Sequence, residues 1–365
     1  PLSEAVRAAL DIADTALEPA ALISAILRSP ADLLWFGGIG TYVKAATESA
    51  ADVGDPANDR LRVNADELRA KVVGEGANLG VTQAARIAYA MGGGRINTDF
   101  IDNSAGVDCS DNEVNIKIAL GREMREGRLS ADDRNALLRE MTGDVAALVL
   151  EDNRLQTLAL SVMEADGAVA VPSYLRAIEL LEAAGRLDRR VEGIAANDVL
   201  LRRAQDGAGL TRPELAVLLA STKLALQDAI ERAPVATSDD LLPDLFAAFP
   251  AAMRDAHADA IRDHRLRGEI VATKLANRTV NRMGVLHLTE LAEEEAATHA
   301  DIAAMFAVAE RLFGLPDLWD TIETTPMGEG ARIALLDEVA NAVRGIVAEL
   351  LRAGGARDGV AAAVA

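Results

Sequence analysis

The stretch KVVGEGANLGVTQAARIAYAMGGGRI, residues 71–96, decides the fold class. Its first residues, Lys71-Val72-Val73, carry a strand pattern, and a Gly/Asn loop follows. VTQAARIAYAM then has helical periodicity, with Thr82 placed as a cap. Gly92-Gly93-Gly94 end that helix, and RINTDFID, residues 95–102, reads as strand again. Strand, helix and strand in this order form a crossover unit, whose two strands run parallel.

Upstream the pattern repeats. ADLLWFGGIG, residues 31–40, is a short apolar run ending in glycines, which reads as a buried strand feeding a loop. DVGDPANDRLRVN, residues 52–64, is rich in turn formers, and ADELRA, residues 65–70, reads as a short helix. Residues 1–29 read as helical, with a break near Glu18-Pro19 and a stop at Pro30. Downstream of about residue 125 the character changes. NALLREMTGDVAALVLEDNRLQTLALSVMEA, SYLRAIELLEAAGRL, RPELAVLLASTKLALQDAIERA and ARIALLDEVANAVRGIVAELLRA all place apolar residues at three- and four-residue steps. Thr211-Arg212-Pro213-Glu214 has the form of a capping box. The expected architecture is an α/β domain over residues 1–125 followed by an all-α domain over 126–365.

Composition agrees. Of 365 residues, 50% are hydrophobic and only 3% aromatic, so aliphatic side chains must build the cores and helices are favoured. The net charge of −20 disfavours nucleic acid and anionic membrane as partners. One cysteine cannot form an internal disulfide, which fits a cytoplasmic setting. No apolar run approaches the roughly 18 residues of a membrane span. The opening PLSEAV lacks an initiator methionine, which suggests a segment of a longer chain.

In open α/β sheets, ligands sit beyond the carboxyl ends of the strands, and three such corners are visible. At Gly37-Gly38-Ile39-Gly40-Thr41 the spacing lacks the third glycine of a dinucleotide fingerprint, and a tight turn accounts for it. Gly76-Ala77-Asn78 would let a nucleotide approach the backbone, while a plain strand-to-helix turn explains the same residues. The third corner is FIDNSAGVDCSDNEVNIKI, residues 100–118, read as a polar turn with a helix starting at Asp111 and Ser110 as its cap. There Cys109 reads as a small buried thiol, and Asp108, Asp111 and Glu113 as solvated or capping acids without the glycine or ligand alternation of a calcium loop. No metal site is expected, and the four histidines, His257, His264, His287 and His299, lack ligand pairing.

Together, GEGANLGVTQ, GRINTDFIDNSAGVDCSDNEVNIKI, DLLWFGGIGTYVKA, GLTRPELAVLL and HRLRGEIVATKLANRTVNR resemble amino-acid dehydrogenases of the glutamate dehydrogenase class. More narrowly, they resemble the very large bacterial NAD-specific glutamate dehydrogenases. The resemblance implies the distal half of a Rossmann-like nucleotide-binding domain followed by the family's C-terminal helical region. It implies oxidative deamination of L-glutamate to 2-oxoglutarate and ammonium, with NAD as cofactor. Gly76, Ala77 and Asn78 match the position beside the nicotinamide ribose, and Gly40 and Thr41 the loop facing the cofactor. Asn103 matches the asparagine near nicotinamide and substrate. Ser110 matches the serine that donates to the substrate's side-chain carboxylate. Ala105-Gly106-Val107 stands where the family more often has Gly-Gly-Val. The family's catalytic lysines and aspartate have no counterpart here and are expected upstream, in the N-terminal remainder of the same polypeptide. A homo-oligomer is expected. The rival classes are a dehydrogenase of another amino acid, which Ser110 disfavours, and a non-catalytic helical assembly or regulatory module.

Overall fold

A computed structural model describes residues 1–354 and Val360. The chain divides into two compact units. The first comprises residues 1–104 and 188–217, and the second residues 105–187 together with the chain from Leu218 onward.

In the first unit, helices α1 (Glu4–Leu10) and α2 (Pro19–Leu27) precede a three-stranded sheet. Its strands are β1 (Leu33–Phe36), β4 (Val72–Glu75) and β5 (Arg95–Ile96), in the order β1-β4-β5 and all parallel. A second parallel pair joins β2 (Val43–Lys44) to β3 (Val63–Asn64). Helix α3 (Gln83–Met91) links β4 to β5 as the crossover that parallel strands require. Thr82 caps it, its side chain accepting from Ala85 N at 3.1 Å. Phe36, Val43, Val63, Val73, Val81, Ala85, Tyr89 and Ile96 form the core beneath the sheet. Gly94 is required there, because a β-carbon at that position would run into the Tyr89 ring, which is itself fixed by a 2.5 Å bond from its hydroxyl to Ala70 O.

The second unit is helical. Among the described residues no strand occurs after Ile96, as the three- and four-residue periodicity requires. Helices α4 (Ser104–Arg125), α5 (Thr142–Ala165) and α6 (Val171–Ala183) come first, and α7 (Arg212–Glu231) belongs to this unit from Leu218 onward. Then come α8 (Arg267–Glu294), α9 (His299–Phe313), α10 (Leu315–Thr324) and α11 (Glu329–Arg352). α8 is the hub of the unit, packing on α5, α9 and α11. It is broken at Gly284, whose φ of 77° and ψ of 177° lie in territory that essentially only glycine occupies. The expected capping box forms: Thr211 N and Oγ1 both donate to Glu214 Oε2, at 2.7 and 2.6 Å.

Several local expectations are corrected. RINTDFID is strand only over Arg95–Ile96, and Asp99–Asp102 is a helical turn. ADELRA forms a single 3₁₀ turn at Ala65–Glu67. In NSAGVDCSDNE only Asn103 stands outside a helix: the 22-residue α4 starts at Ser104, not at Asp111, and takes in the rest. Ser110 therefore caps nothing, and Glu113 pairs along the helix with Lys117. Cys109 is exposed, not buried. Small polar residues favour turns because they compete for backbone hydrogen bonds. In α4 they satisfy themselves within the helix: Ser110 Oγ donates to Gly106 O at 3.2 Å and Asn112 Nδ2 to Asp108 O at 2.9 Å.

Candidate functional site

The carboxyl end of β4 carries the most elaborate polar construction of the first unit. Glu75, the last strand residue, is fully buried and accepts from Arg86 of α3 twice, from Nε at 2.6 Å and from Nη2 at 2.9 Å. It also accepts from Val81 N at 3.0 Å, so one carboxylate closes both ends of the Gly76–Gly80 loop. Burial pushes its carboxyl above the usual range, against the pull of Arg86. Arg86 reaches Asp99 as well, at 3.1 Å.

Asp99 and Asp102, from the turn after β5, hold the same loop. Asp102 accepts from Glu75 N at 2.9 Å and from Asn97 Nδ2 at 2.7 Å. Asp99 accepts from Leu79 N at 2.9 Å. Leu79 needs that anchor, since its φ of 63° is left-handed and costs a non-glycine residue roughly 1–2 kcal/mol. Strain held in place by charged neighbours marks a loop whose shape is specified.

On this scaffold Asn78 and Asn103 meet. Asn103 Nδ2 donates to Asn78 Oδ1 at 2.9 Å. The pair uses one polar atom of each amide, so Asn78 Nδ2 and Asn103 Oδ1 remain available to a ligand. Gly76 is half-buried, and its lack of a side chain has a structural cause: a β-carbon there, or at Gly74, would strike the Trp35 ring. That ring lies across β4 from β1 yet stays 57% exposed.

The Gly40–Thr41 loop adjoins the same corner. Tyr42 N and Val43 N both donate to Gly80 O, at 2.9 and 3.2 Å. Thr41 N donates to Asp55 Oδ2 at 2.9 Å, and Thr41 O accepts from Arg62 Nε at 2.9 Å. The Thr41 amide holds the Asp55 carboxyl below its ordinary range, with Asn58 adding to the effect. Gly40 has a φ of 131° and would clash with Asn58 and Tyr42 if it bore a side chain. Thus Gly76, Ala77, Asn78, Gly40, Thr41 and Asn103 gather at one end of the sheet. Its small residues and free amide groups fit a nucleotide cofactor. No cluster of three or more metal-ligating side chains occurs among the described residues.

Ser110 stands in the second unit, exposed on α4 beside exposed Gly106, Val107 and Cys109. The inward side of the same helix holds a cluster that the spacing of acids did not reveal. Lys274 of α8 donates to Asp152 of α5 at 2.5 Å. Asp108 faces them, and its carboxyl is pushed up to about 6 by burial, reinforced by Asp152 and Asp111 and opposed by Lys274. Burial lowers Lys223 of α7 to about 8. The sequence reads Asp108 as a solvated or capping acid, whereas it is half-buried and feels the charges of Asp152 and Lys274. The legible signal was Asn112, four residues on, whose amide also donates to Asp108 Oδ1 at 3.1 Å.

Parallel strands ending in small and amide residues, with helices between them, are the arrangement of open α/β sheets, in which ligands sit at strand ends. The family model for the catalytic domain of bacterial NAD-glutamate dehydrogenase matches residues 1–163, and that for the glutamate dehydrogenase C-terminal region matches residues 207–365. Together the two matches take in most of the chain, which is similar along that length to bacterial NAD-glutamate dehydrogenases. The NAD-specific glutamate dehydrogenase of Pseudomonas aeruginosa is 45% identical over 92% of this chain and 21% of its own length. That of Mycobacterium tuberculosis is 43% identical, again over 92% of this chain and 21% of its own. For the Halomonas elongata enzyme the identity is 44%, covering 86% of this chain and 19% of the relative. The chain spans about a fifth of the length of these relatives. Among its described residues no helix is long and apolar enough to cross a membrane.

Proposed function

We propose that this chain supplies cofactor and substrate contacts to an NAD-dependent glutamate dehydrogenase, which deaminates L-glutamate to 2-oxoglutarate and ammonium. The observation that carries this is the Asn78–Asn103 pair at 2.9 Å, held at the carboxyl end of β4 by Glu75, Asp99 and Asp102. In this reading residues 1–125 are the distal half of a Rossmann-like domain and residues 126–365 the helical domain. Gly76 and Ala77 give the nicotinamide ribose a close approach to backbone, and Asn78 Nδ2 donates to it. Gly40 and Thr41 form the adjoining cofactor loop. Asn103 Oδ1 orients the amide face of the nicotinamide or the substrate's ammonium. NAD, when bound, supplies the hydride acceptor. Ser110 turns its hydroxyl from Gly106 O to the side-chain carboxylate of glutamate, a donor to a charged acceptor worth about 1.5–3 kcal/mol. In this reading the proton-handling lysines and aspartate belong to the N-terminal remainder of the polypeptide. A homo-oligomer in the cytoplasm completes the reading; the single cysteine fits that reducing compartment.

The test is Ser110→Ala in the full-length protein, with steady-state kinetics on L-glutamate and L-norvaline. KM for glutamate should rise roughly ten- to a hundredfold, with norvaline turnover little changed. Equal effects on both substrates, or none, would remove Ser110 from the carboxylate site.

A further inference from the structure

The helical unit contains a cavity of about 70 Å³ where α8 breaks. At roughly 10–15 Å³ per water, that space admits about five heavy atoms. Its walls come from α5, α6, α8, α10 and α11. The break is the first sign of purpose. Gly284 holds a conformation strained for any other residue, and a β-carbon placed on it would meet nothing within 4 Å, so the bend opens onto empty space. Interrupting a helix also withdraws backbone groups from the hydrogen-bond ladder.

The polar atoms around the space are mostly acceptors. Asn281 Oδ1 is buried without a hydrogen-bond partner, while His287 Nδ1 lies 3.5 Å from the Glu290 carboxylate. Asp166 and Asp337 bring two carboxyl groups to the lining. Asp166 accepts from Tyr174 at 2.6 Å through one oxygen only. Burial raises its carboxyl, Asp337 raises it further, and Tyr174 and His287 oppose the rise, which is the state of an anion short of positive charge. The wall's own guanidinium does not serve: Arg282 pairs with Glu323 and stacks 4.5 Å over the Trp319 ring. The remaining lining, including Leu158, Val162 and Leu336, is aliphatic.

We infer that this cavity is a binding site for a small aliphatic primary ammonium compound of about five heavy atoms, its charge held by Asp166, Asp337 and Asn281 and its hydrocarbon by the aliphatic wall. An ammonium head offers three donors and no acceptor, matching a lining whose unpaired atoms accept. The site is independent of the strand-end corner and of the dehydrogenase reading, and it does not require turnover.

Equilibrium dialysis of the full-length protein with radiolabelled n-butylammonium tests it, with n-butanol and butyrate as competitors. One saturable equivalent per chain is expected, displaced by neither competitor. Asp337→Asn and Asn281→Leu should each weaken binding about tenfold or more. Asp337 is partly exposed on α11, so its amide variant is expected to fold, and a circular dichroism melt checks both variants. Absence of a saturable site, displacement by n-butanol, or unchanged affinity in both folded variants would overturn the assignment.

Discussion

Removing the cation behind the β4 corner should unfold the first unit in a pH-dependent way. In Arg86→Met, Glu75 loses bonds of 2.6 and 2.9 Å while remaining fully buried, and Asp99 loses its 3.1 Å partner. Breaking a buried pair by deleting one partner costs about 3–5 kcal/mol, because the other charge is left uncompensated. Glu75 can escape part of that cost by taking a proton. Its carboxyl is already raised by burial in the wild type, and without Arg86 it rises further. The folded state then binds a proton that the unfolded state, with a Glu value of about 4.3, releases, so stability falls as pH climbs through the window between the two values. Each unit of added shift contributes about 1.4 kcal/mol to the loss above that window. The deficit should be small near pH 4.5 and largest near pH 8. Trp35 lies across β4 and reports this unit, provided Trp319 is replaced by Phe to silence the other indole. Urea titrations followed by Trp35 fluorescence at the two pH values give the difference. Adding Glu75→Gln to Arg86→Met should recover a substantial part of it at pH 8 and little at pH 4.5. A deficit independent of pH, or a double variant no better than the single one at pH 8, would refute the account of Glu75 as a buried charge neutralised by Arg86.

Two further outcomes follow from the same geometry. Gly76→Ala should displace the Trp35 ring, shift its emission and cost about 1–3 kcal/mol in the same titration, with Trp35→Ala relieving the loss read by circular dichroism. Asp108, raised to about 6 from 3.8, binds its proton more tightly when folded, so its contribution to stability declines as pH rises through that range. The shift corresponds to roughly 3 kcal/mol, discounted to ~1–2 because the group is only partly buried. Asp108→Asn should therefore be about that much more stable than wild type at pH 8 and equal to it near pH 4, measured by urea denaturation. A variant less stable at pH 8 would mean that the attraction of Lys274 for the Asp108 carboxylate outweighs the burial.

Local sequence determined much of this protein. The crossover from Lys71 to Ile96 was legible because its glycines, its Thr82 cap and its switch of period all agree on one answer. The helical character after residue 125 followed from a periodicity that a strand cannot use. The resemblance located Asn78 and Asn103, and the structure brings their amides together. What the sequence misrepresented was NSAGVDCSDNE, where turn-favouring residues lie inside a 22-residue helix. Propensities there amount to tenths of a kcal/mol per residue, and tertiary packing of Asn112 and Ile116 overrides them. Only the tertiary structure decided three further matters. It showed that Gly76 is small for the sake of Trp35, that Glu75 is a buried anion answered by Arg86, and that the acids of α4 include one half-buried in the field of Asp152 and Lys274. Each depends on side chains distant in sequence meeting in space, and the free energy of a buried charge is set by those neighbours, not by its position in the chain.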